Sequence, residues 1–327
     1  MVVEELNPRP ELVANIRGVL KVFRDGSFTR TQSATVPPSP QGLQAEDAGV
    51  ATKDVALDPD LGLWVRLYLP PHNARMPVCL YFHGGGFGIG SSAWPMFHNF
   101  SIRMAAAAGA LLISVNYRLA PEHPLPAAYD DCSTVLSWLR SQSLKQSNGG
   151  GADPWFESHA DFSKVFLAGD SAGANIIHNL CMRGAALNPL PIRGALMLQP
   201  FFGGEARTRS EIESPEDLER GDAYWRLALP VGGNRDHPFS NPIGPESPNL
   251  SEATFPPLIL FVGGRDMLRD RHREYYHALH KCGKQIEMIV LEEEDHGFYA
   301  LKPNAKSSET LFLRIADFIK FHSESLP

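Results

Sequence analysis

Apolar and polar positions along the 327-residue chain change period several times, and each change predicts an element. Over residues 11–23, Leu12, Val13, Ile16, Leu20 and Phe23 fall on one helical face, which predicts an amphipathic helix. Arg24-Asp25-Gly26-Ser27 then reads as a hairpin turn, and Val36-Pro-Pro-Ser-Pro40 as extended chain that cannot be helical. Thr52–Leu57 and Leu63–Leu69 alternate and are joined by Asp58-Pro59-Asp60, the pattern of an antiparallel edge hairpin. Apolar runs at Val78–Phe82, Ala110–Val115 and Val165–Ala168 predict buried strands, and Ile192–Leu198, Leu258–Val262 and Gln285–Leu291 read as further strands. Helical spacing lies between and after them: Phe97–Ala108, Ala127–Leu139, the stretch after Gly173, Leu268–Lys281 and Thr310–Phe321. Strands alternating with helices imply a mostly parallel sheet covered on both faces.

No internal repeat or composition break divides the chain, so residues 1–327 are expected to form a single domain. Two stretches stand outside the rhythm. Residues 1–40 precede the sheet and must lie over it from outside, so they are expected to act as a lid. Residues 201–256 separate two core strands and are rich in proline, charge and aromatic rings. A connection this long usually has its own structure and a task, here a cap over the site. Ser147-Asn-Gly-Gly-Gly151 reads as a flexible surface loop without chemistry.

Composition narrows the class. The net charge is −7 and the pI near 5.9, which argues against a nucleic-acid partner. Hydrophobic residues make up 43% of the chain, enough for a large core, yet no run approaches the length of a membrane span. Glu4, Glu5, Pro8, Arg9 and Pro10 stand where a secretory signal would carry its apolar segment, so a cytoplasmic location, with the nucleus as a second possibility, is expected. Cys79, Cys132, Cys181 and Cys282 are far apart and read as reduced residues, not as a disulfide framework or a metal site.

The chemistry centres on Gly169-Asp170-Ser171-Ala172-Gly173, which follows the Val165–Ala168 run and opens a helix. Small residues on both sides let the chain turn sharply and push a serine hydroxyl outward, as a nucleophile elbow requires. A serine hydroxyl needs a base within reach, and the base needs an orienting carboxylate. After the last predicted strand comes Asp295-His296-Gly297-Phe298, and His296 stands where the base should stand. After the strand before it comes Gly263-Gly-Arg-Asp266, which makes Asp266 the leading acid, with Asp270 and Asp295 as weaker candidates. His83-Gly84-Gly85-Gly86-Phe87 follows Val78–Phe82 and can bring backbone amides against an oxyanion, partnered by the Ala172 amide. His83 is expected to hold this loop. A phosphate loop would need a Lys-Ser/Thr pair or a different glycine spacing, and neither is present. With His296 as base, activity should fall on the acid side with an apparent pKa of about 6–7.

Taken together, His83-Gly-Gly-Gly-Phe87, Asn116-Tyr-Arg-Leu-Ala-Pro-Glu-His-Pro124, Gly169-Asp-Ser-Ala-Gly173 and Asp295-His-Gly-Phe298 resemble the plant carboxylesterases of the hormone-sensitive-lipase family. The resemblance spans nearly the whole chain. It implies an α/β-hydrolase fold with a mostly parallel eight-stranded sheet and a lid built partly from the N-terminus. It implies Ser171, Asp266 and His296 as a triad, Gly85, Gly86 and Ala172 as oxyanion donors with Gly84 in reserve, and no metal or organic cofactor. Phe87, Phe202, Trp225 and Phe298 are expected to line the substrate pocket. The expected partner is a small-molecule ester, with neither nucleic acid nor membrane, and the expected state a monomer or weak homodimer. The family also includes non-hydrolytic gibberellin receptors, which lack the catalytic histidine, as well as 2-hydroxyisoflavanone dehydratases and strigolactone-cleaving carboxylesterases. Trp94-Pro-Met-Phe-His-Asn99 and Phe201-Phe-Gly-Gly-Glu-Ala-Arg-Thr208 are most like the last group. A receptor or a lyase is therefore the alternative to ester hydrolysis.

Overall fold

A computed structural model describes residues 11–31, 33–39, 49–71, 74–184 and 190–324. In chain order the elements are β1 (Leu12–Ile16), β2 (Leu20–Phe23), β3 (Phe28–Arg30), β4 (Ala51–Asp58), β5 (Leu63–Leu69), β6 (Met76–Phe82), α1 (Pro95–Ala108) and β7 (Leu111–Asn116). They continue with α2 (Ala127–Ser147), α3 (Pro154–His159), β8 (Ala160–Asp170), α4 (Ala172–Arg183), β9 (Ile192–Leu198), α5 (Arg209–Ile212) and α6 (Pro215–Ala228). The last are β10 (Leu258–Gly263), α7 (Arg269–Lys281), β11 (Ile286–Leu291), α8 (Phe298–Leu301) and α9 (Lys306–Glu324).

Eight strands form one sheet in the order β11-β10-β9-β8-β6-β7-β5-β4. Pairing is parallel from β11 to β7, and β5 and β4 are antiparallel at one edge, as the Asp58-Pro59-Asp60 turn predicts. Burial on both faces explains the apolar runs of the central strands β6, β7, β8 and β10, whereas β11 at the edge is only partly buried. Alternate residues of β6 serve different layers: Val78, Leu80 and Phe82 join α2, α4 and α7 in one cluster, while Cys79 and Tyr81 join α1 and α9 in the other. Cys79, Cys132 and Cys181 are free and buried, and Cys282 is free and partly buried.

The first predicted element is corrected. Residues 12–23 form two strands of a three-stranded antiparallel sheet instead of one helix. The chain reverses at Arg17-Gly18, both with positive φ (51° and 69°), and the Val19 amide donates to the Ile16 carbonyl at 2.9 Å. In so short a stretch helical spacing and two alternating strands give similar patterns. Tertiary packing decided between them: Ile16, Leu20 and Val22 are buried, and Leu12 and Val13 are exposed. The turn after Phe23 is the expected one, with Asp25 Oδ1 accepting from the Ser27 amide and hydroxyl at 2.9 and 2.6 Å.

Arg30 ties the small sheet to the body. Its guanidinium donates to the Gly88 carbonyl, to the Ala120 carbonyl at 2.9 Å and to Glu122. Of residues 1–40, positions 1–10, 32 and 40 lie outside the described residues. The 201–256 stretch contributes α5 and α6 and otherwise runs without regular structure. It is anchored by Glu211, fully buried, which accepts from Arg235 at 2.7 Å and from Arg271 of α7 at 2.8 Å. The same carboxylate caps α5 by accepting from the Thr208 amide at 2.8 Å.

Candidate active site

The strand β8 ends at Asp170, and α4 begins at Ala172, so Ser171 alone makes the turn. Its φ of 52° and ψ of −113° lie outside the regions that L residues adopt cheaply. The flanking glycines are needed for contact. A Cβ on Gly173 would stand 1.8 Å from the Phe82 carbonyl oxygen, and one on Gly169 would stand 2.4 Å from the Gly173 backbone. Only with both side chains missing can the helix start lie against the strand end.

Three distant segments meet at this turn. His296, between β11 and α8, places Nε2 2.9 Å from Ser171 Oγ. Its Nδ1 is 2.7 Å from Asp266 Oδ2, in the loop after β10. A carboxylate can only accept, so Nδ1 carries the proton and Nε2 is the lone pair facing the hydroxyl. Asp266 is fully buried and held on both oxygens: Oδ1 accepts from the Leu268 amide at 2.9 Å and Oδ2 from Gln199 Nε2 at 3.0 Å. Burial pushes the Asp266 pKa up, but His296, together with His272 and the Leu268 amide, outweighs it and the net direction is down. For His296 burial pulls the pKa down, and the charge and hydrogen bond of Asp266 overcome it, leaving it above the usual histidine value. Of the other acids considered, Asp270 accepts from the Ser210 amide at 2.8 Å, and Asp295 lies 4.0 Å from Lys302.

Gln199 is a site residue that sequence reasoning missed. Its amide nitrogen reaches both Asp266 and the Asp295 carbonyl at 3.0 Å, and its oxygen accepts from the Gly297 amide at 2.8 Å. One side chain thus joins the acid loop to the histidine loop. The available signal was position: Gln199 follows β9 directly, beside the nucleophile strand.

The glycine loop carries a further correction. Gly85 and Gly86 line the cavity, and among the described residues neither their amides nor that of Ala172 donates to a backbone carbonyl outside regular elements. Gly84, held in reserve as a donor, is spent otherwise: its amide serves the Asp170 carboxylate. Asp170 is buried and also accepts from Tyr81 at 2.6 Å and Tyr299 at 3.2 Å. Burial raises its pKa to about 6. His83 is loop support, with Nδ1 2.7 Å from the Gly84 carbonyl and its ring stacked on Tyr117 at 4.4 Å. Burial lowers its pKa to about 4, so it stays neutral near pH 7.

Ser171 and His296 open onto a cavity of about 450 Å³. Its apolar wall includes Val19, Ile89, Trp94, Phe97, Phe201, Tyr224, Met267 and Leu268, with Tyr299 and Leu301 at the histidine side. The four predicted pocket aromatics are corrected. Phe87, Phe202, Trp225 and Phe298 are each only 1% exposed, in the core behind the wall. The reason is direction. Phe201 and Phe202 are adjacent but face different ways: Phe201 lines the cavity, and Phe202 packs against His178 and Tyr275. On α6 the next residue turns about 100°, so Tyr224 faces the cavity and Trp225 faces inward. There it stacks on the back of Phe201, with ring centres 4.3 Å apart. After Gly297, Phe298 joins the α1–α9 cluster while Tyr299 reaches the cavity.

Among the described residues no helix is long and apolar enough to cross a membrane, and no cluster of three or more His, Cys, Asp or Glu could hold a metal ion.

Comparison with known proteins agrees with this architecture. Residues 79–300 match the sequence profile of a family described as having the alpha/beta hydrolase fold. Tuliposide A-converting enzyme 1, chloroplastic, of Tulipa gesneriana is 38% identical over 96% of this chain and 81% of its own length. The 2-hydroxyisoflavanone dehydratase of Glycyrrhiza echinata is 37% identical over 94% of this chain and 96% of its own length. Among solved structures, an esterase of Pyrobaculum calidifontis superimposes with a TM-score of 0.70 at 25% identity, covering 84% of this chain and 86% of its own. The cytoplasmic or nuclear expectation is corrected by these names. The tulip enzyme is called chloroplastic, and a further tulip relative, 36% identical over 96% of this chain and 83% of its own, is called amyloplastic. Charged residues and prolines at the N-terminus speak only against a secretory apolar segment; plastid-directed segments lack such a segment too. Fold, sequence profile and relatives converge, and the chain belongs to the α/β-hydrolase family, within its hormone-sensitive-lipase-like branch of plant enzymes.

Proposed function

We propose that the protein is a serine carboxylesterase that hydrolyses a small-molecule carboxylic ester or lactone of plant metabolism through an acyl-enzyme on Ser171. The observation that carries this reading is the unbroken relay Asp266–His296–Ser171, at 2.7 and 2.9 Å, opening onto an apolar cavity. His296 Nε2 takes the Ser171 proton as Oγ attacks the ester carbonyl. The resulting oxyanion lies against the Gly85, Gly86 and Ala172 amides. His296 then protonates the leaving alcohol, and a water activated by the same nitrogen releases the acid and restores Ser171. The three-stranded sheet and α6 serve as lid and cap, since both contribute wall residues to the cavity.

Water elimination is the second reading, favoured by the relative named as a dehydratase. The two separate in one experiment. Protein mixed with p-nitrophenyl acetate and quenched in acid should carry acetyl on the peptide containing Ser171. Steady turnover with no acylated serine would end the acyl-enzyme proposal.

The pH profile is a further test. The working base is neutral His296, and its pKa lies above the ordinary 6.5. Protonation therefore removes the base earlier as pH falls, and kcat/KM should decline through an apparent pKa above about 6.5. The shift places the limb above the midpoint of an unperturbed histidine. Asp170, raised to about 6, titrates next, so the limb should steepen at lower pH. Activity constant down to pH 5 would remove a histidine base from the mechanism.

A further inference from the structure

We propose that Arg17 reads a carboxylate carried by the substrate, so that the natural ester or lactone is an anion held at both ends. Arg17 sits at the tip of the β1–β2 hairpin and lines the same cavity as Ser171 and His296. The wall around it is largely apolar, and most of its charged neighbours have partners of their own. Arg220 is ion-paired with Asp217, Asp295 lies 4.0 Å from Lys302, and Asp170 is enclosed by two tyrosine hydroxyls. Among the described residues Arg17 forms no ion pair, although its charge acts on both the His296 imidazole and the Tyr224 phenol. Arg17 is solvent-exposed and lines the cavity, so its guanidinium is available to a ligand there.

The backbone supports the same assignment. Arg17 has a φ of 51°, in the left-handed region that favours glycine, asparagine or aspartate at this turn position. The reversal is already secured by Gly18, at a φ of 69°, whose amide donates to Asn15 Oδ1 at 3.1 Å. The turn has no need of a long cationic side chain, and the residue lines the site. The chain as a whole carries −7 and repels anions at long range. An anionic substrate thus needs a local cation, and a guanidinium over an apolar wall suits a planar carboxylate.

This proposal rests on Ser171 being the reactive end of the cavity, and the test separates the two. The substrates are the p-nitrophenyl monoester of glutaric acid and p-nitrophenyl valerate, matched in chain length and differing in a terminal carboxylate. The variants are Arg17→Asn, which suits the turn and removes the charge, and Arg17→Lys, which keeps it. The ratio of kcat/KM for the anionic over the neutral ester should fall about tenfold in Arg17→Asn, the size of one charge-assisted hydrogen bond partly screened by solvent. It should be largely kept in Arg17→Lys and should shrink in wild type at high salt. The same ratio is read as Kd on the Ser171→Ala background, from the fluorescence of Trp94 in the cavity wall. A ratio unmoved by Arg17→Asn in both readouts overturns the role of Arg17. Absence of turnover of either ester, with a Kd ratio that still depends on Arg17, overturns the esterase reading and leaves the anion site standing.

Discussion

Ser171→Ala should lower kcat on p-nitrophenyl esters by about 10⁴–10⁶-fold while leaving KM within a few-fold. The loss is this large because, on the proposed mechanism, the hydroxyl is the atom that forms the acyl bond; the Nε2 of His296 faces Ser171 Oγ at 2.9 Å and its Nδ1 is committed to Asp266. The oxyanion amides and the cavity remain, so the residual rate should still exceed that in water. Ser171→Gly should be equally inactive yet more stable than Ser171→Ala. The native φ of 52° strains any residue with a Cβ, at a cost of order 1–3 kcal/mol that glycine avoids. Chemical denaturation of the two variants beside an esterase assay checks both statements. Turnover surviving in Ser171→Ala at wild-type level would dismiss the nucleophile.

Glu211→Ala should destabilise the fold by about 3–5 kcal/mol, seen as a lower denaturant midpoint. Glu211 is fully buried and is the common partner of Arg235 and Arg271, each about 8% exposed. Removing one carboxylate leaves two guanidinium groups desolvated; Arg235 keeps Asp222 at 2.9 Å, and Arg271 only Glu274 at 3.6 Å and backbone carbonyls. The Thr208–Glu211 capping box of α5 is lost at the same time. Replacing all three charged residues together by apolar ones of similar volume should cost far less, because no unpaired charge then remains inside. A loss below about 1 kcal/mol for Glu211→Ala would show that water reaches these cations. Because this cluster anchors the segment that carries Tyr224, Glu211→Ala should also raise KM before it lowers stability enough to unfold the chain at 25 °C.

Much of the frame was legible along the chain. Six segments predicted six parallel strands, and each strand lies where its segment lies; in β6, β7, β8 and β10 the pattern is clear because a strand buried on both faces has no polar side to interrupt it, while β11 is an edge strand. The edge hairpin was legible from alternation and a Pro-containing turn. The segment at 12–23 was not. Its five apolar residues fit a helical face, but only Ile16 and Leu20 among them became buried, against a body that local spacing does not describe.

The site divides in the same way. Ser171, His296 and Asp266 stand out in the sequence because each follows a strand, and a parallel sheet brings the carboxyl ends of its strands to one rim. The elbow glycines could be read too, since close backbone approach forbids a Cβ. Gln199 could not, because its function is to bridge two loops that are 29 residues or more apart in sequence, counted from Asp266 to Asp295. Nor could the choice of Phe201 over Phe202, Tyr224 over Trp225 and Tyr299 over Phe298. Each pair is adjacent and aromatic, and composition cannot say which ring turns toward the cavity.

The order of residues alone therefore determined the sheet, its edge and the three groups at its rim, because burial and strand-end position are local constraints written into apolar period and turn chemistry. Tertiary structure decided which aromatic faces line the cavity, that the Gly84 amide is taken by Asp170, and that Arg17, from a hairpin, lines the same cavity as Ser171. Those outcomes depend on the directions of side chains from segments far apart in sequence, and such directions are set only when the layers pack.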